Sequence, residues 1–454
     1  MKFYETVRPV ADYLNKELEC SCGRTHFAPI KDINIGKGAI NALPGYMKKY
    51  GYKKAYILCD RITYDIVGRK LEGLIAEEGL FSHTLIIKHM GFDEATLGEI
   101  VINKSDDCDL MIGCGTGSIT DMLRYSSFKL GLPCFTVATG APMDGFSASV
   151  GIMNVNNLKA TMPAHSTEVI IGDTDILSGA PFRMTVAGYG DLIGKVSSLN
   201  DWRIAVLVDG EHYCENMDRL VTAYVDKIIG ETDALRDRDP KAVGDVMDAL
   251  LLTGATISLY GTSRAISGSE HHMSHYWEVL GDQRGKPYAM HGEQVAVGTV
   301  LSLMVNEELS KMTPDFDSAR ARAKEYRFEA WEKEIRRAYG NAADAIIDLE
   351  KASGKNETEG RLKRLDRIEE HWDELRAMTG SVYPSEKIAA LFAALGCPGT
   401  PKALGLTPDI IRDTLLYCKD TRKIYTVLRL ASDLGVMEEI ADRIIGKLAE
   451  KGEI

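Results

Sequence analysis

The chain has 454 residues, of which 45% are hydrophobic and 26% are charged. Such a composition is typical of a globular protein with a large core, and the length indicates two or more domains. The formal net charge of −12 excludes a general attraction to nucleic acid or anionic membranes, so an anionic substrate would need a local basic site.

Neither a secretory signal nor a membrane span is expected from the sequence. Residues 1–6 hold no apolar stretch of the signal-peptide kind, and no apolar run approaches membrane-spanning length. The 9 cysteines are an odd number spread through the chain, which suits thiols in a reducing compartment. We therefore expect a cytoplasmic protein with neither a nucleic-acid nor a membrane partner.

Near the N-terminus, a short segment is similar to a zinc-binding fragment. Cys20-Ser21-Cys22-Gly23 is followed by His26. The segment lacks a clear fourth ligand, and two cysteines separated by one residue differ from the usual CxxC spacing. A structural turn is therefore the preferred interpretation, with a metal site as the alternative.

The next part of the chain alternates strand and helix patterns. Such alternation predicts a parallel sheet with helices on both faces. Helical patterns separate the strands, for example at 64–78 and 119–130. The predicted strands are 55–59, 84–87, 110–113, 134–138, 150–155 and 169–171.

After about residue 178, long amphipathic segments follow with little strand signal. We therefore predict an α/β, Rossmann-like nucleotide-binding domain over residues 1–177 and an all-α domain over 178–454. Ligands are expected in the cleft between the domains, outside the carboxyl ends of the strands. The predicted helices of the second domain are 245–259, 293–306, 319–343, 359–378 and 424–445.

A glycine-rich turn follows the predicted strand at 110–113. Gly113, Gly115 and Gly117 alternate with small residues, and Ser118 begins the next helix. Glycines let the backbone approach a ligand, and a helix N-terminus attracts phosphate. The turn therefore predicts the pyrophosphate site of a dinucleotide, although its spacing is not GxGxxG. A tight turn without a ligand is the alternative.

Two acidic residues follow predicted strands. Asp144 is the one acid in the loop 139–145, whose small residues would admit a cofactor. Asp-Gly also favours turns by itself, so a turn residue is an equal alternative. Asp60 ends the strand at 55–59, where an acid can bind the adenosine ribose and favour NAD over NADP. A helix N-cap is the alternative for Asp60.

Histidines and one aspartate predict a divalent metal site with an open coordination position. Four of the 10 histidines fall between residues 271 and 291. His271 and His275 are four residues apart and share a helix face, and His291 begins the next predicted helix. Asp191 lies between two glycines at a predicted helix start. One carboxylate with two imidazoles suits Zn²⁺, Ni²⁺, Fe²⁺ or Mn²⁺.

These features, in this order, resemble those of the sn-glycerol-1-phosphate dehydrogenases. That family belongs to the superfamily of iron-type alcohol dehydrogenases, glycerol dehydrogenases and dehydroquinate synthases. The stretch Ser267-Gly268-Ser269-Glu270-His271-His272-Met273-Ser274-His275-Tyr276-Trp277-Glu278 is most similar to the bacterial AraM-like branch. The resemblance covers residues 15–310 well and the charged region from 315 to 380 poorly.

The resemblance implies a site for each reactant. Asp191, His271 and His291 would hold the metal, with Asp191 counted among the catalytic residues. Asp144 and His275 would contact the substrate, and His275 is a candidate proton relay. Arg264 and Lys159 are candidates for binding a substrate phosphate, although Arg264 could be only a surface charge. The dinucleotide site would comprise Gly115, Thr116, Gly117, Ser118, Ile119, Thr139 and Pro142, and Asp60 is added to it because of its place after the strand at 55–59.

The reaction implied by the resemblance is the reversible reduction of dihydroxyacetone phosphate to sn-glycerol 1-phosphate. NAD or NADP and one divalent metal (Zn, Ni or Fe) would be the cofactors, a phosphorylated triose the substrate, and a homodimer or larger homo-oligomer the assembly. A glycerol or other polyol dehydrogenase is the first alternative. A dehydroquinate synthase-like lyase is disfavoured because no lysine closely follows Asp144. A non-catalytic protein that binds nucleotide or metal is the third alternative.

Overall fold

The computed structural model describes residues 7–88, 91–155 and 158–454. Its largest sheet has six parallel strands in the order β3-β10-β7-β6-β4-β5. Two separate antiparallel hairpins, β1–β2 and β8–β9, complete the strands of the described chain. The strands are β1 Leu18–Glu19, β2 Thr25–His26, β3 Asp32–Gly36, β4 Lys54–Cys59, β5 Phe81–Ile86, β6 Leu110–Gly115, β7 Cys134–Ala138, β8 Val150–Val155, β9 Leu158–Pro163 and β10 Val169–Asp173.

The α-helices lie between the strands of the sheet and then make up the rest of the chain. The π-helical turn Tyr64–Gly68 joins α2 to α3. The helices are α1 Leu43–Tyr50, α2 Arg61–Thr63, α3 Arg69–Glu77, α4 Glu94–Asn103, α5 Gly117–Leu130, α6 Thr174–Gly179, α7 Phe182–Ile193, α8 Lys195–Asp209, α9 Glu215–Gly230, α10 Thr232–Arg236, α11 Pro240–Tyr260, α12 Ser269–Gln283, α13 His291–Ser310, α14 Phe316–Lys324, α15 Phe328–Tyr339, α16 Ala343–Ser353, α17 Thr358–Glu370, α18 Trp372–Gly380, α19 Ser385–Ala394, α20 Pro408–Tyr417, α21 Val427–Asp433 and α22 Met437–Glu450.

The sheet is buried on both faces, which explains the continuous apolar runs of its strands. On β4, Ile57 packs into one core cluster and Tyr56 and Leu58 pack into another. Successive side chains of a strand point to opposite faces, so an apolar residue is needed at every position. The prediction of an α/β fold with a parallel sheet is confirmed.

The strand order reverses between β4 and β6. From β4 the chain continues outward to β5, whereas from β6 it continues in the other direction to β7. In open parallel sheets, ligands bind at such a switch point, outside the carboxyl ends of the strands. The residues that follow β4 and β6 are Asp60 and the glycine turn, so both predicted nucleotide contacts flank this position.

Several predicted element boundaries differ from the structure. The edge strand β3 was not predicted, because its residues are only half-buried and carry a weak apolar pattern. The strand 150–155 lies in a separate hairpin. The predicted helix 319–343 ends at Lys324 and resumes at Phe328, and 359–378 divides at His371. Neither break contains glycine or proline, so the sequence pattern does not mark it.

The chain divides into two compact units. One comprises the chain up to Leu192 together with Arg219–Ser263, and the other comprises Ile193–Asp218 and Arg264–Ile454. The predicted boundary at 177/178 instead follows the end of the α/β pattern. The difference arises because α11 packs on β3, on α6 and on the 3₁₀ turn Gly145–Ser147, all within the first unit.

Among the residues that the structure describes, one helix qualifies as a membrane span by length and composition alone. α11 has a window of mean hydropathy 1.4, and 78% of that window is buried inside the structure. The expectation that no apolar run approaches spanning length is therefore wrong for α11. A buried core helix passes the same test, so the finding is weak evidence for a membrane segment.

The Asp248 carboxylate of α11 predicts a pH dependence of stability. It accepts the Val10 N–H at 3.0 Å, and its burial raises its pKa to about 6. In the unfolded chain its pKa would be about 3.9, so between pH 4 and 6 the folded state binds more protons. The contribution of this group to the free energy of unfolding should therefore fall by about 2 kcal/mol as pH rises through that window.

Urea unfolding at pH 4.5 and 7 would measure this effect. We expect Asp248→Asn to flatten the pH dependence by that amount. Asp233→Asn, at a position whose side chain is 84% exposed, should leave it unchanged. An Asp248→Asn protein with the same slope as the parent would contradict the burial argument.

Candidate active site

Glycines hold the turn between β6 and α5 tight. A Cβ atom on Gly115 would lie 2.6 Å from the side chain of Ile119, and one on Gly113 would lie 2.9 Å from that of Leu123. The helix therefore packs directly on the strand. Within the described chain, Thr116 at the N-cap makes no side-chain hydrogen bond to the helix. The first-turn N–H groups thus have no side-chain cap, which suits an anion.

The loop 139–145 after β7 is bonded to the elements beside it. The Thr139 N–H donates to the Gly115 carbonyl at 3.2 Å. At the other end, the guanidinium of Arg124 from α5 donates to the Gly145 carbonyl. Arg124 is 1% exposed. Sequence reasoning missed Arg124 because a single arginine in an amphipathic helix carries no local sign of burial.

Two glycines let the loop 139–145 lie directly against helices. A Cβ atom on Gly188 of α7 would lie 2.0 Å from the Ala141 carbonyl oxygen. A Cβ atom on Gly254 of α11 would lie 2.0 Å from the Asp144 carbonyl oxygen. Both distances exclude any side chain, so backbone contacts set the position of the loop.

Asp60 and Asp144, the two acidic residues that follow strands, form different hydrogen bonds. Asp60 forms a capping box with Thr63, whose N–H donates to the Asp60 carboxylate at 2.7 Å. The helix-cap alternative for Asp60 is therefore present in the structure. Asp144 precedes the 3₁₀ turn Gly145–Ser147, but its side chain does not cap that turn. Its backbone N–H donates to the Asp191 carboxylate at 3.0 Å.

Three of the predicted histidines lie close together on α12 and at the start of α13. The ring centroids of His271 and His291 are 5.2 Å apart, and His275 lies 6.2 and 6.0 Å from them. Nδ1 of His271 lies 2.7 Å from the buried Glu270 carboxylate. Because a carboxylate accepts the proton on Nδ1, Nε2 is the nitrogen presented to a metal.

Glu278 and Arg422 join this histidine group, and sequence reasoning gave neither a role. One Glu278 oxygen lies 3.1 Å from Nδ1 of His275, and the other lies 3.2 Å from Nδ1 of His291. Arg422 Nη2 lies 3.0 Å from Nε2 of His275. Burial, followed by the positive charge of Arg422, lowers the pKa of His275 below its usual range. The three-residue spacing of His275 and Glu278 could have revealed Glu278, whereas Arg422 is 147 residues away.

Asp191 is fully buried in the last turn of α7. The expectation of a helix start at Asp191 is therefore wrong: α7 continues to Ile193, and Gly194 is the N-cap of the following helix. The structure brings His271 and His291 together. The role of Asp191, His271 and His291 as metal ligands stays a prediction.

The two residues predicted to bind phosphate differ in how far the structure describes them. Arg264 is 4% exposed and donates to the carbonyls of Asp201 and Tyr425 at 2.6 and 2.7 Å. Its Nε also lies 2.7 Å from Glu211. Lys159 belongs to strand β9, but its side chain lies outside the described part of the structure.

Comparison with known proteins supports one family. The iron-containing alcohol dehydrogenase family matches residues 34–181. A glycerol-1-phosphate dehydrogenase (NAD(P)+) from Halalkalibacterium halodurans is 30% identical over 302 residues, which cover 65% of this chain and 76% of the relative. The chain belongs to the glycerol-1-phosphate dehydrogenase family. The resemblance found in the sequence is confirmed.

Other members of the glycerol-1-phosphate dehydrogenase family match over more of the chain. The enzyme from Geobacillus stearothermophilus is 27% identical over 92% of this chain and 97% of its own length. Among solved structures, glycerol dehydrogenase from Schizosaccharomyces pombe aligns with a TM-score of 0.61 at 15% identity, over 94% of this chain and 93% of its own. An alcohol dehydrogenase from Oenococcus oeni aligns with a TM-score of 0.60 at 15% identity, over 92% and 98%. These similarities confirm the α/β plus helical fold.

The packing of loop 139–145 predicts the effect of a single methyl group. Gly188→Ala should displace the loop away from α7, because the added Cβ atom would overlap the Ala141 carbonyl oxygen. We expect a loss of about 1–3 kcal/mol in the free energy of unfolding. Nucleotide affinity should fall with it, as measured by fluorescence titration with NADH.

Gly98→Ala in α4 is the matched control, because a Cβ atom there would meet nothing within 4 Å. Alanine in an open helix position should be neutral or stabilise by up to about 1 kcal/mol. Equal stability and equal NADH affinity for the two variants would refute the close-packing account of the loop.

Proposed function

We propose that this protein catalyses the NAD(P)-linked, reversible reduction of dihydroxyacetone phosphate to sn-glycerol 1-phosphate. The observation that carries the proposal is the pair His271 and His291, each bonded to a carboxylate, in a chain of this family. Asp191 is proposed as the third ligand. A set of three protein ligands leaves a coordination position for substrate. We also propose that the enzyme is cytoplasmic, acts on a small molecule and forms a homodimer or larger homo-oligomer.

The residues fit a divalent metal in their donor chemistry and in their hydrogen bonds. Glu270 orients the His271 ring and Glu278 orients the His291 ring, as carboxylates do for the histidine ligands of catalytic metals. When bound there, a divalent ion polarises a carbonyl oxygen and stabilises negative charge that develops on it. We leave Zn, Ni and Fe as the candidate ions, because Asp with two His suits all three.

For the nucleotide, we propose the crevice at the carboxyl ends of β4 and β6. The uncapped N-terminus of α5 would bind the pyrophosphate through the amides of Gly117, Ser118 and Ile119. The hydrogen bond from the Thr139 N–H to the Gly115 carbonyl would hold the loop 139–145 next to the bound pyrophosphate. One carboxylate oxygen of Asp60 accepts the Thr63 N–H of its helix cap. We propose that the other oxygen accepts a hydrogen bond from a ribose hydroxyl, which favours NAD.

For the substrate, we propose contacts from His275 and Asp144. The hydrogen bonds from Nδ1 to Glu278 and from Arg422 to Nε2 hold the His275 ring in one orientation. Arg422 is also a cation in direct contact with this ring, and a chain of net charge −12 needs a local cation for a phosphate. We propose Arg422 for that role ahead of Arg264, which already donates to two backbone carbonyls.

The proposal is tested by following the absorbance of NADH or NADPH with dihydroxyacetone phosphate. The protein would be stripped of metal and reloaded separately with Zn²⁺, Ni²⁺, Fe²⁺ or Mn²⁺. We expect metal-dependent oxidation that yields the sn-1 phosphate. His271→Ala should reduce the rate by at least about 100-fold, because it removes a ligand.

His371→Ala is the matched control, because His371 lies between α17 and α18 and is not one of the predicted metal ligands. It should retain the parent rate. Equal turnover of glycerol and sn-glycerol 1-phosphate would favour the polyol dehydrogenase instead. Binding of metal and nucleotide without turnover of any small ketone would favour the non-catalytic alternative.

A separate prediction concerns Glu278, which bonds two of the three histidines. Glu278→Gln preserves the shape of the side chain but weakens both hydrogen bonds to imidazole. We expect metal affinity to fall by about 10–100-fold, as measured by competition with a chelator. Glu359→Gln, at a position 82% exposed, should leave metal affinity unchanged. If both variants bind metal equally, Glu278 does not orient the predicted ligand His291.

A further inference from the structure

One buried carboxylate accepts hydrogen bonds from the first residues of two helices. Asp201 of α8 is fully buried, and its Oδ2 accepts the Ser269 N–H at 2.7 Å and the Ser269 hydroxyl at 2.8 Å. Its Oδ1 accepts the Val427 N–H at 2.6 Å. Ser269 begins α12 and Val427 begins α21. Asp201, Ser269 and Val427 all belong to the second compact unit.

Within the described residues, neither helix is capped by a side chain at its own N-cap position. The N-cap residue of α12 is Gly268, and the side chain of Thr426, the N-cap of α21, makes no hydrogen bond to its helix. A Cβ atom on Gly268 would lie 2.6 Å from Oδ2 of Asp201, so the glycine leaves the space that the carboxylate fills. Asp201 therefore caps both helices from a third one, and the positive helix ends stabilise its charge.

The backbone just before α21 is bonded to the same part of α8. Arg264 donates to the carbonyls of Asp201 and Tyr425 at 2.6 and 2.7 Å. Residues 422–426 form neither a helix nor a strand. The position of such a segment depends on the hydrogen bonds that its backbone makes to other elements. The Tyr425 carbonyl and the Val427 N–H are both held at the position of Asp201.

The two elements that Asp201 joins carry two side chains of the proposed substrate site. His275 lies six residues after Ser269 on α12, and Arg422 lies five residues before Val427. Nη2 of Arg422 lies 3.0 Å from Nε2 of His275. Both oxygens of the Asp201 carboxylate are bonded, so a shift of one helix start relative to the other would break a hydrogen bond. The carboxylate thus fixes where α12 meets the segment that carries Arg422.

We propose that Asp201 is a positioning residue that holds the Arg422 guanidinium against His275 and so sets where the substrate phosphate binds. This inference rests on the proposed function, in which Arg422 binds that phosphate and His275 contacts the substrate. Asp201 acts through Arg422 and does not itself contact the substrate. A carboxylate that only stabilised the fold would change the fraction of folded enzyme and leave the substrate affinity of the folded enzyme unchanged.

Steady-state kinetics of metal-loaded Asp201→Asn test the proposal. An amide has one acceptor oxygen where the carboxylate has two, so one helix start loses its acceptor. We expect KM for dihydroxyacetone phosphate to rise on the order of 10-fold, as for a lost hydrogen bond to a charged group, and KM for NADH to stay within about 2-fold. A purely structural role would lower kcat through the folded fraction and leave both KM values unchanged, which would overturn the proposal.

A double-mutant cycle with Arg422→Ala separates positioning from general damage. If Asp201 acts through Arg422, Asp201→Asn should raise KM by less than about 2-fold in the Arg422→Ala background. A rise on the order of 10-fold in that background would overturn the proposal. Asp315→Asn is the matched control, because Asp315 is an exposed cap of α14 that accepts the Ser318 N–H at 2.9 Å. It should leave both KM values unchanged.

NMR of the zinc-loaded protein distinguishes failure of this inference from failure of the proposed function. An enzyme that does not turn over dihydroxyacetone phosphate would contradict the function, whereas the ¹⁵N signal of His275 Nε2 reports the hydrogen bond from Arg422 without any substrate. We expect this signal in Asp201→Asn to shift toward its position in Arg422→Ala. It should stay at the parent position in Asp315→Asn.

A second variant keeps the inference open to refutation if Asp201→Asn does not fold. Ser269→Ala removes the hydroxyl donor to Asp201 and keeps the backbone N–H donor. It should shift the His275 signal in the same direction by a smaller amount. A parent-like His275 signal in every folded variant at positions 201 and 269 overturns the inference.

Discussion

Direct backbone contact around the loop 139–145 is the constraint on which the proposed site depends. The loop touches the glycine turn through Thr139 and accepts two helices at glycine positions, Gly188 and Gly254. Because these contacts are between backbone atoms, a change of side-chain rotamer cannot compensate for a displacement of the loop. The N–H of Asp144 at the loop end reaches the Asp191 carboxylate, so the same contacts position a predicted metal ligand.

Charges buried around the histidine group are tolerated because each has polar partners. Glu270 is fully buried, but it accepts from the Gly268 N–H and lies against His271. Asp201 is also fully buried, and burial, together with the nearby Glu270 charge, raises its pKa to about 7. It accepts hydrogen bonds from the backbone of Ser269 at 2.7 Å. Such networks fix the start of α12, where the predicted ligand His271 lies.

The parts of the fold and site that were predicted share one property, which is that their signal is local. The apolar runs of β4 and β6 and the i, i+4 spacing of His271 and His275 are each visible within a few residues. Glu278, three residues from His275, was missed although its signal is local, whereas another missed contribution comes from far along the chain. Arg422 bonds His275 although the two residues are 147 positions apart in the sequence. Single-sequence periodicity cannot report such contacts.

The order of the strands has a consequence for how the chain is made. β3 is the first strand of the large sheet to leave the ribosome, yet its partner β10 lies about 140 residues later. At about 5–20 residues per second, roughly 10 s of synthesis separate the two. For that period the hydrogen-bonding groups of β3 have no sheet to join. The edge of the sheet that is made first is therefore closed last, and until β10 is made β3 is an unpaired strand of the kind that can pair elsewhere.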